Sequence, residues 1–196
     1  MEQYQPELFP ESYPHDDPAN PRRFILDIIE TAVLAIVLYL IIQTLTQRIK
    51  VDSTSMVPTL HPSDYVVVNK LAYLLGKPHR GDIIVFKYPP DPTQIPYIKR
   101  VIGLPGDQIH ITAGRVYING VILTEPYLVV PTNSGGDWTV PENNLFVLGD
   151  NRNGSSDSRA WGMVPMGNVI GKAEVIYWPP QHWAQLHIPS AAAASP

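Results

Sequence analysis

The feature that most constrains this chain is an apolar stretch near its N-terminus, FILDIIETAVLAIVLYLIIQTLT, from Phe24 to Thr46. As an α-helix it would be about 35 Å long, which is enough to cross a hydrocarbon core of about 30 Å. Its two acids, Asp27 and Glu30, fall in the first turns, where a helix N-terminus and the lipid interface tolerate negative charge. The sequence predicts a transmembrane helix over residues 23–47, and a buried soluble helix is the alternative.

The residues that follow the apolar stretch indicate that it is retained. A cleaved secretory signal has a shorter apolar region and a small-x-small site behind it, whereas the segment QRIK follows here. We therefore expect a permanent anchor with the lipid bilayer as a partner. Two basic residues lie on each side of the stretch, so the positive-inside rule does not assign its orientation.

The rest of the chain divides by composition. Residues 1–22 are rich in proline and acidic residues and predict an unstructured extension. Residues 48–180 contain short runs with period-two alternation, and residues 181–196 predict a flexible tail. The predicted fold is mostly β, an antiparallel and partly closed barrel-like sheet in a catalytic domain behind one transmembrane helix. Asn119-Gly120 between apolar runs predicts a β-hairpin.

Composition excludes several functions. With 16% charged residues and a net charge of −4, the chain has no basic field for a polyanion, so we expect no nucleic-acid partner. The absence of cysteine excludes a thiol nucleophile, a disulfide framework and Cys-ligated zinc. None of the six histidines shows the spacing of a helical zinc hydrolase. We therefore predict no metal site and no cofactor.

A hydroxyl-rich segment, Ser53-Thr54-Ser55-Met56-Val57-Pro58, begins a few residues after the apolar stretch. A serine at such a break commonly caps a helix or a turn, because its hydroxyl satisfies free backbone donors. A catalytic interpretation of Ser55 requires a base. Since no Ser/His/Asp motif is recognisable, a neutral lysine amine is the activator to consider.

Lys99 is the candidate base. Alternation in PYIKRVI would place it on one face of a strand and Arg100 on the other, so one of the two cations points toward apolar company. Burial can lower a lysine pKa by several units from about 10.4, which leaves a free amine able to accept a hydroxyl proton. The alternative is a lysine whose stem lies on the sheet while its head reaches water.

A dense polar loop, GDNRNGSSDSRAWG, runs from Gly149 to Gly162 directly after an apolar strand. Its two acids and two arginines could pair and hold it rigid, and a serine hydroxyl within it could orient the lysine amine. The alternative is a loop with a structural role only.

Together these clusters, in this order behind an N-terminal apolar helix, resemble the type I signal peptidase family from about residue 24 to residue 178. VDSTSMVPTL is similar to the family's nucleophile segment, GDIIVFKYP to its next strand, YIKRVIGLPGD to its lysine segment and GDNRNGSSDSRAWGMVP to its supporting loop. The resemblance implies a membrane-bound serine endopeptidase that removes signal peptides from exported precursor proteins and cuts after small residues.

The same resemblance implies roles for individual residues. Ser55 would be the nucleophile and an oxyanion donor through its backbone N–H, and Lys99 the general base. The supporting residues would be Ser53 at the oxyanion hole, Ser155 on the lysine, and the ion pair of Asp157 with Arg159. Shallow apolar substrate pockets would be lined by Val51, Leu60, Tyr97 and Ile98.

The resemblance also implies a topology: a single-pass protein of the cell membrane, with a cytoplasmic N-terminus and an extracytoplasmic catalytic domain. Relatives often carry a larger insertion, so the auxiliary domain over residues 108–148 should be minimal here. Two rival functions remain open. One is a self-cleaving Ser-Lys protein of the SOS-response repressor type, and the other is a membrane-anchored β-domain that binds a partner without catalysis.

Overall fold

The computed structural model describes residues 21–186. Residues 1–20 and 187–196, which hold nearly all of the predicted extension and most of the predicted tail, lie outside the described residues. The chain splits into two units, residues 1–42 and 43–196.

The N-terminal unit contains most of a single long helix, α1, Pro21–Leu45. Within residues 21–186 it is the one helix long and apolar enough to cross a membrane, and none of its residues is buried. It begins two residues before the predicted anchor, because proline is pre-organised for the first helical position. It also ends two residues earlier, since Thr46 and Gln47 belong to the first strand.

The described part of the second unit is built from short strands and four short helical segments. In chain order the further elements are β1 (Thr46–Lys50), β2 (Tyr65–Asn69), α2 (Ala72–Leu75), β3 (Ile83–Phe86), β4 (Tyr97–Gly103), β5 (Gln108–Thr112), β6 (Arg115–Ile118), β7 (Val121–Ile122), β8 (Gly136–Thr139), β9 (Asn144–Leu148), α3 (Ser158–Trp161), β10 (Val164–Pro165), β11 (Val169–Trp178) and β12 (Ala184–Gln185), with 3₁₀ turns at Met166–Asn168 and Pro180–His182.

The main sheet is antiparallel, in the order β1-β2-β11-β3-β4-β9-β10, with β12 added to β11. Strands β1 and β10 are its two edges and do not pair with each other, so the sheet is only partly closed. In β2 the valines at 66 and 68 are buried while their neighbours are half-exposed, as alternation predicts. The predicted fold class, a mostly β domain preceded by one apolar helix, is confirmed.

Strand β3 lies between two hydrophobic cores and is buried at every position. Ile83 and Val85 pack into a core with Met56 and Leu60, while its other face packs into a second core that includes Trp161 from the polar loop. A strand covered on both faces reads as a continuous apolar run, which explains the sequence IIVF. This burial makes the centre of the sheet a dry environment for its neighbour β4.

Residues 108–148, the predicted minimal insertion, contain a second antiparallel sheet in the order β7-β6-β5-β8, followed by β9. The predicted hairpin turn is confirmed between β6 and β7, where Asn119 and Gly120 have φ values of 51° and 82°. Both residues need positive φ in this turn, which asparagine and glycine adopt most readily.

The predicted flexible tail begins too early. Residues 180–182 form a 3₁₀ turn, and Ala184–Gln185 pairs with β11 through Ile176 and Val175. Leu186 is 7% exposed and packs into the first core. The sequence showed no apolar periodicity here because a two-residue strand is too short to display one.

Candidate active site

Ser55 lies in the turn between β1 and β2, and two buried side chains hold that turn. Met56 and Leu60 are fully buried in the core, and the Leu60 N–H donates to the Met56 carbonyl at 2.9 Å. On the other side, the Ser55 carbonyl accepts the backbone N–H of Asn151 from the polar loop at 3.0 Å. Ser55 is therefore fixed between the core and the polar loop.

Lys99 approaches Ser55 from the middle of β4. Its Nζ lies 2.7 Å from the Ser55 Oγ and 2.9 Å from the Ile98 carbonyl oxygen. The lysine is 4% exposed and the serine 6%. The structure thus brings together, at hydrogen-bond distance, two residues that are 44 positions apart in the sequence.

The surroundings of Lys99 favour its neutral form. Burial lowers its pKa from 10.5 to about 8, although the charges of Asp157 and Asp150 act in the opposite direction. Within the described part of the chain, no carboxylate lies within salt-bridge distance of its Nζ. An amine with a pKa near 8 has a lone pair available near neutral pH to accept the Ser55 hydroxyl proton.

Two further polar groups close to the Ser55 hydroxyl could donate hydrogen bonds to a negative charge that forms there. The Ser55 backbone N–H donates to no other residue between 21 and 186, so it is available as a donor. The Ser53 hydroxyl is exposed and lies 3.1 Å from the Ser55 hydroxyl. Both groups are on the same turn as the nucleophile candidate.

A groove of about 330 Å³ opens onto this pair, between the segment after β1 and the start of β4. Three of the four predicted substrate-contacting residues, Val51, Tyr97 and Ile98, line it. Leu60 is not among the residues that line the groove, and its side chain packs in the core under the turn. The predicted role of Leu60 in substrate binding is therefore wrong, and Val85 lines the groove instead.

Ser155 differs from its predicted arrangement. Its Oγ is buried and makes no hydrogen bond, so it does not hold the Lys99 amine as the resemblance implied. Gly149 lies against it, and a Cβ at residue 149 would collide with the Ser155 side chain and with the Ser55 carbonyl. Only glycine lets the end of β9 pass this close to both loops, which is a requirement that the sequence analysis missed.

Asp157 and Arg159 form the predicted ion pair. The Arg159 Nε and Nη2 each lie 2.7 Å from an Asp157 carboxylate oxygen. The same carboxylate accepts the Gly149 N–H at 3.1 Å, and the guanidinium donates to the Arg152 carbonyl at 2.7 Å. This pair therefore joins both ends of the polar loop.

The site contains two other ion pairs that the sequence did not predict. Arg100 and Asp150 are buried together, with Nε to Oδ1 at 2.8 Å and Nη2 to Oδ2 at 2.6 Å. Arg152 makes a bidentate contact with Glu125, which lies outside the polar loop. Asp150 is one of the two acids of the polar loop, but its partner Arg100 is 50 positions away in an apolar strand, and no sequence pattern joins the two.

Comparison with known proteins agrees with this geometry. A family model described as signal peptidase, peptidase S26, matches residues 25–178. The chain belongs to this signal peptidase family. Signal peptidase I of Leptolyngbya laminosa is 42% identical over 177 residues, covering 84% of this chain and 85% of that protein. Probable signal peptidase I-2 of Synechocystis sp. is 40% identical over 166 residues, covering 81% and 76%.

The plant relatives extend the same signal peptidase family to an organelle. Thylakoidal processing peptidase 1 of Arabidopsis thaliana, a chloroplast protein, is 35% identical over 160 residues, covering 76% of this chain and 46% of that protein. Membership confirms the predicted class of enzyme, a serine peptidase that removes signal peptides. Neither the DNA-binding repressor nor the non-catalytic binding domain fits it.

Proposed function

We propose that this signal peptidase cleaves precursors through a dyad in which Ser55 is the nucleophile and Lys99 the general base. The contact of 2.7 Å between Lys99 Nζ and Ser55 Oγ, at the floor of a groove, is the observation that carries this proposal. Proton transfer requires the two groups to be within hydrogen-bond reach and the base to be deprotonated. The lowered pKa of Lys99 serves the second requirement, because it raises the fraction of the amine that is neutral near pH 8.

The mechanism follows from these positions. Lys99 accepts the Ser55 proton as Oγ attacks the scissile carbonyl, and the oxyanion forms against the Ser55 N–H and the Ser53 hydroxyl. The protonated amine then gives its proton to the leaving nitrogen, and an acyl-enzyme remains on Oγ. Water hydrolyses this ester with Lys99 again as base, which restores the free serine.

The remaining residues support this geometry. The ion pair of Asp157 with Arg159 holds the polar loop, and the loop holds Ser55 through the Asn151 N–H. We assign Ser155 to packing beside Gly149, because its hydroxyl lacks the contact with Lys99 that orientation would require.

The substrates we propose are signal-peptide-bearing precursors of exported proteins. Strand β4 pairs with β9 only from Arg100 onward, so no described strand covers this side of Tyr97 and Ile98, which line the groove. An extended substrate segment can add to such an edge as a strand. With Val51 and Val85 beside it, the groove offers shallow apolar pockets, which suits small residues before the scissile bond.

We further propose that α1 anchors the enzyme in the cell membrane, with the N-terminus cytoplasmic and the second unit extracytoplasmic. Its length and apolar composition support the anchor. A tether that keeps enzyme and precursor in one layer raises their effective concentration.

The dyad is tested by cleavage of a secretory precursor with the detergent-solubilised protein. Wild type should cut after a small residue, Ser55→Ala and Lys99→Ala should not, and Lys77→Ala, an exposed lysine in the same unit, should match wild type. Circular dichroism verifies that all four proteins are folded. Full activity of Lys99→Ala would place the base elsewhere.

The orientation is tested by single-cysteine labelling, for which a chain without cysteine is a ready background. Arg23→Cys places the label before the apolar run of α1. Lys77→Cys places it in the second unit. A membrane-impermeant maleimide should label intact cells only at position 77 and should label position 23 after permeabilisation. The reverse pattern would refute the proposed topology.

A further inference from the structure

Within the described residues, one group of side chains has the composition of a metal site, and none of its members lines the active-site groove. It consists of His61, Asp64 and His182, whose candidate ligand atoms all lie within 4.8 Å of one another. The His182 Nδ1 is 2.7 Å from Asp64 Oδ1, and the His61 Nδ1 is 4.0 Å from Asp64 Oδ2. The two imidazoles lie 5.3 Å apart between ring centroids. We propose that these three residues form a binding site for Zn²⁺.

The carboxylate of this group is already fixed. Asp64 is 1% exposed, and its Oδ2 accepts the backbone N–H of His61 at 2.7 Å. Hydrogen bonds that hold a ligating carboxylate in place are typical of the outer shell of metal sites. Among residues 21–186, Asp64 pairs with no lysine or arginine, so a bound dication would supply the fixed positive charge that this buried anion lacks.

The two imidazoles have room to move onto an ion. Their side chains are 47% and 44% exposed, whereas that of Asp64 is 1% exposed. Ligand atoms around a tetrahedral zinc, at about 2.0–2.1 Å from the metal, lie about 3.3–3.4 Å from one another. The three candidate ligand atoms, one from each residue, lie within 4.8 Å of one another. Small rotations of the two exposed rings are therefore enough, and water supplies the fourth ligand, as in three-residue zinc sites.

A second turn in the same unit has the same His and Asp spacing but, among the described residues, lacks a third metal-binding side chain. His79 and Asp82 repeat the spacing of His61 and Asp64, with the His79 N–H 2.9 Å from Asp82 Oδ2 and the His79 Nδ1 3.8 Å from it. There the further cationic partner is Lys172, whose Nζ lies 2.6 Å from Asp82 Oδ1. An ammonium group cannot ligate a metal, whereas the imidazole of His182 at the equivalent place can.

Ligand type indicates the metal. Two imidazole nitrogens and one carboxylate suit zinc and its transition-metal neighbours, while Ca²⁺ and Mg²⁺ prefer shells made of oxygen. The site would also connect distant parts of the chain. The Asp64 carbonyl accepts the Val51 N–H at 2.8 Å, which closes the turn that carries Ser55, and His182 belongs to the C-terminal 3₁₀ turn. Zinc would therefore join that turn to the base of the Ser55 segment.

The test is calorimetric titration of ZnCl₂ into the tag-free, full-length, metal-stripped protein in detergent. Wild type should bind one zinc ion per chain at this site, and His61→Ala and His182→Ala should each weaken that binding by more than about tenfold. His79→Ala is the matched control and should bind zinc as wild type does. CaCl₂ and MgCl₂ should give no comparable heat.

Two further readouts separate this site from incidental binding. Zinc should raise the unfolding temperature of wild type and of His79→Ala but not that of His182→Ala, and Co²⁺ should give the visible absorption of a tetrahedral N,O site. The conservative variant His182→Asn verifies folding, because it keeps a hydrogen bond to Asp64 without an imidazole. Equal zinc affinity in all variants, or no binding by folded wild type, would overturn the proposal.

Discussion

Lys99 and Arg100 are neighbours on β4, both almost fully buried at 4% and 1% exposure, and they meet opposite environments. Alternation along the strand turns Lys99 toward the Ser55 hydroxyl and Arg100 toward the Asp150 carboxylate. Arg100 also stacks on Tyr127, with the guanidinium carbon 3.9 Å from the ring centroid. Arg100 is paired with a carboxylate, whereas the Lys99 amine lies against a hydroxyl, a carbonyl and, at 5.5 Å from its centroid, the ring of Tyr97.

One strand thus holds a charged cation with a structural role beside an amine whose pKa is lowered. A guanidinium stays charged in proteins, so it is buried only with a carboxylate that neutralises it. A lysine amine can lose its proton instead, and burial without a paired carboxylate lowers its pKa to about 8. Burial therefore fixes Arg100 as part of the scaffold and lowers the pKa of Lys99, which suits it to the role of base that we propose.

The largest effect that we expect is the loss of cleavage activity when the Lys99 amine is removed. Lys99→Met should lower the rate of precursor cleavage by at least about 10⁴-fold, because a serine hydroxyl without its base is a poor nucleophile. The protein should stay folded, since methionine fills a similar volume without a charge. Rate measurements under single-turnover conditions, with circular dichroism as the folding control, test this. A variant that keeps a tenth of wild-type activity would contradict the role of Lys99.

Removal of the Arg100 guanidinium should instead lower the stability of the fold. Arg100→Met leaves Asp150 buried without its partner, so the free energy of unfolding should fall by about 3–5 kcal/mol. Urea denaturation measures the loss. The double variant Arg100→Met/Asp150→Asn should recover part of it, because no uncompensated charge remains. If the single variant is as stable as wild type, the pair is not the scaffold element described.

The pH dependence of stability should distinguish the two cations. Between pH 8 and 10.5 the unfolded state binds the Lys99 proton and the folded state does not, so the free energy of unfolding rises with pH. The rise attributable to Lys99 is about 3 kcal/mol, is complete above the unfolded pKa, and is lost as pH falls through the folded pKa. The measurement is the difference between wild type and Lys99→Met across this range. A pH-independent difference would contradict the lowered pKa.

The smallest of the expected effects concerns the second oxyanion donor. Ser53→Ala should reduce kcat by about 10²-fold with KM little changed, because the hydroxyl acts on charge that develops in the transition state. Steady-state kinetics on a precursor peptide separates the two constants. A change confined to KM would show that Ser53 binds substrate instead.

Much of this site could be predicted because its parts are local in sequence. The hydroxyl segment, the lysine strand and the polar loop each have a readable pattern, and the alternation of β4 already separated Lys99 from Arg100. The sequence did not indicate which side chains of each segment face the core and which face the groove. Leu60 shares a turn with Ser55, but it faces the core, since the Met56 to Leu60 turn directs both ends inward.

The partners supplied by distant segments could not be predicted. Glu125 reaches Arg152 from outside the polar loop, and His182 reaches Asp64 across 118 positions. No sequence spacing predicts either contact, because each depends on which segments the fold brings together. The ordered C-terminal turn was missed for the same reason, since its support comes from distant residues: the pairing with β11, the contact of His182 with Asp64 and the packing of Leu186 in the first core.

The most direct test of the central claim is an NMR titration of Lys99 in the folded protein. Specific isotope labelling of lysine side chains, with Lys99→Met to assign the signal, reports the protonation of its amine as a function of pH. We expect a midpoint of about 8 for Lys99, well below the ordinary value for an exposed lysine. A midpoint at or above about 10.4, the ordinary value for lysine, would show that burial does not make Lys99 a base and would contradict the account.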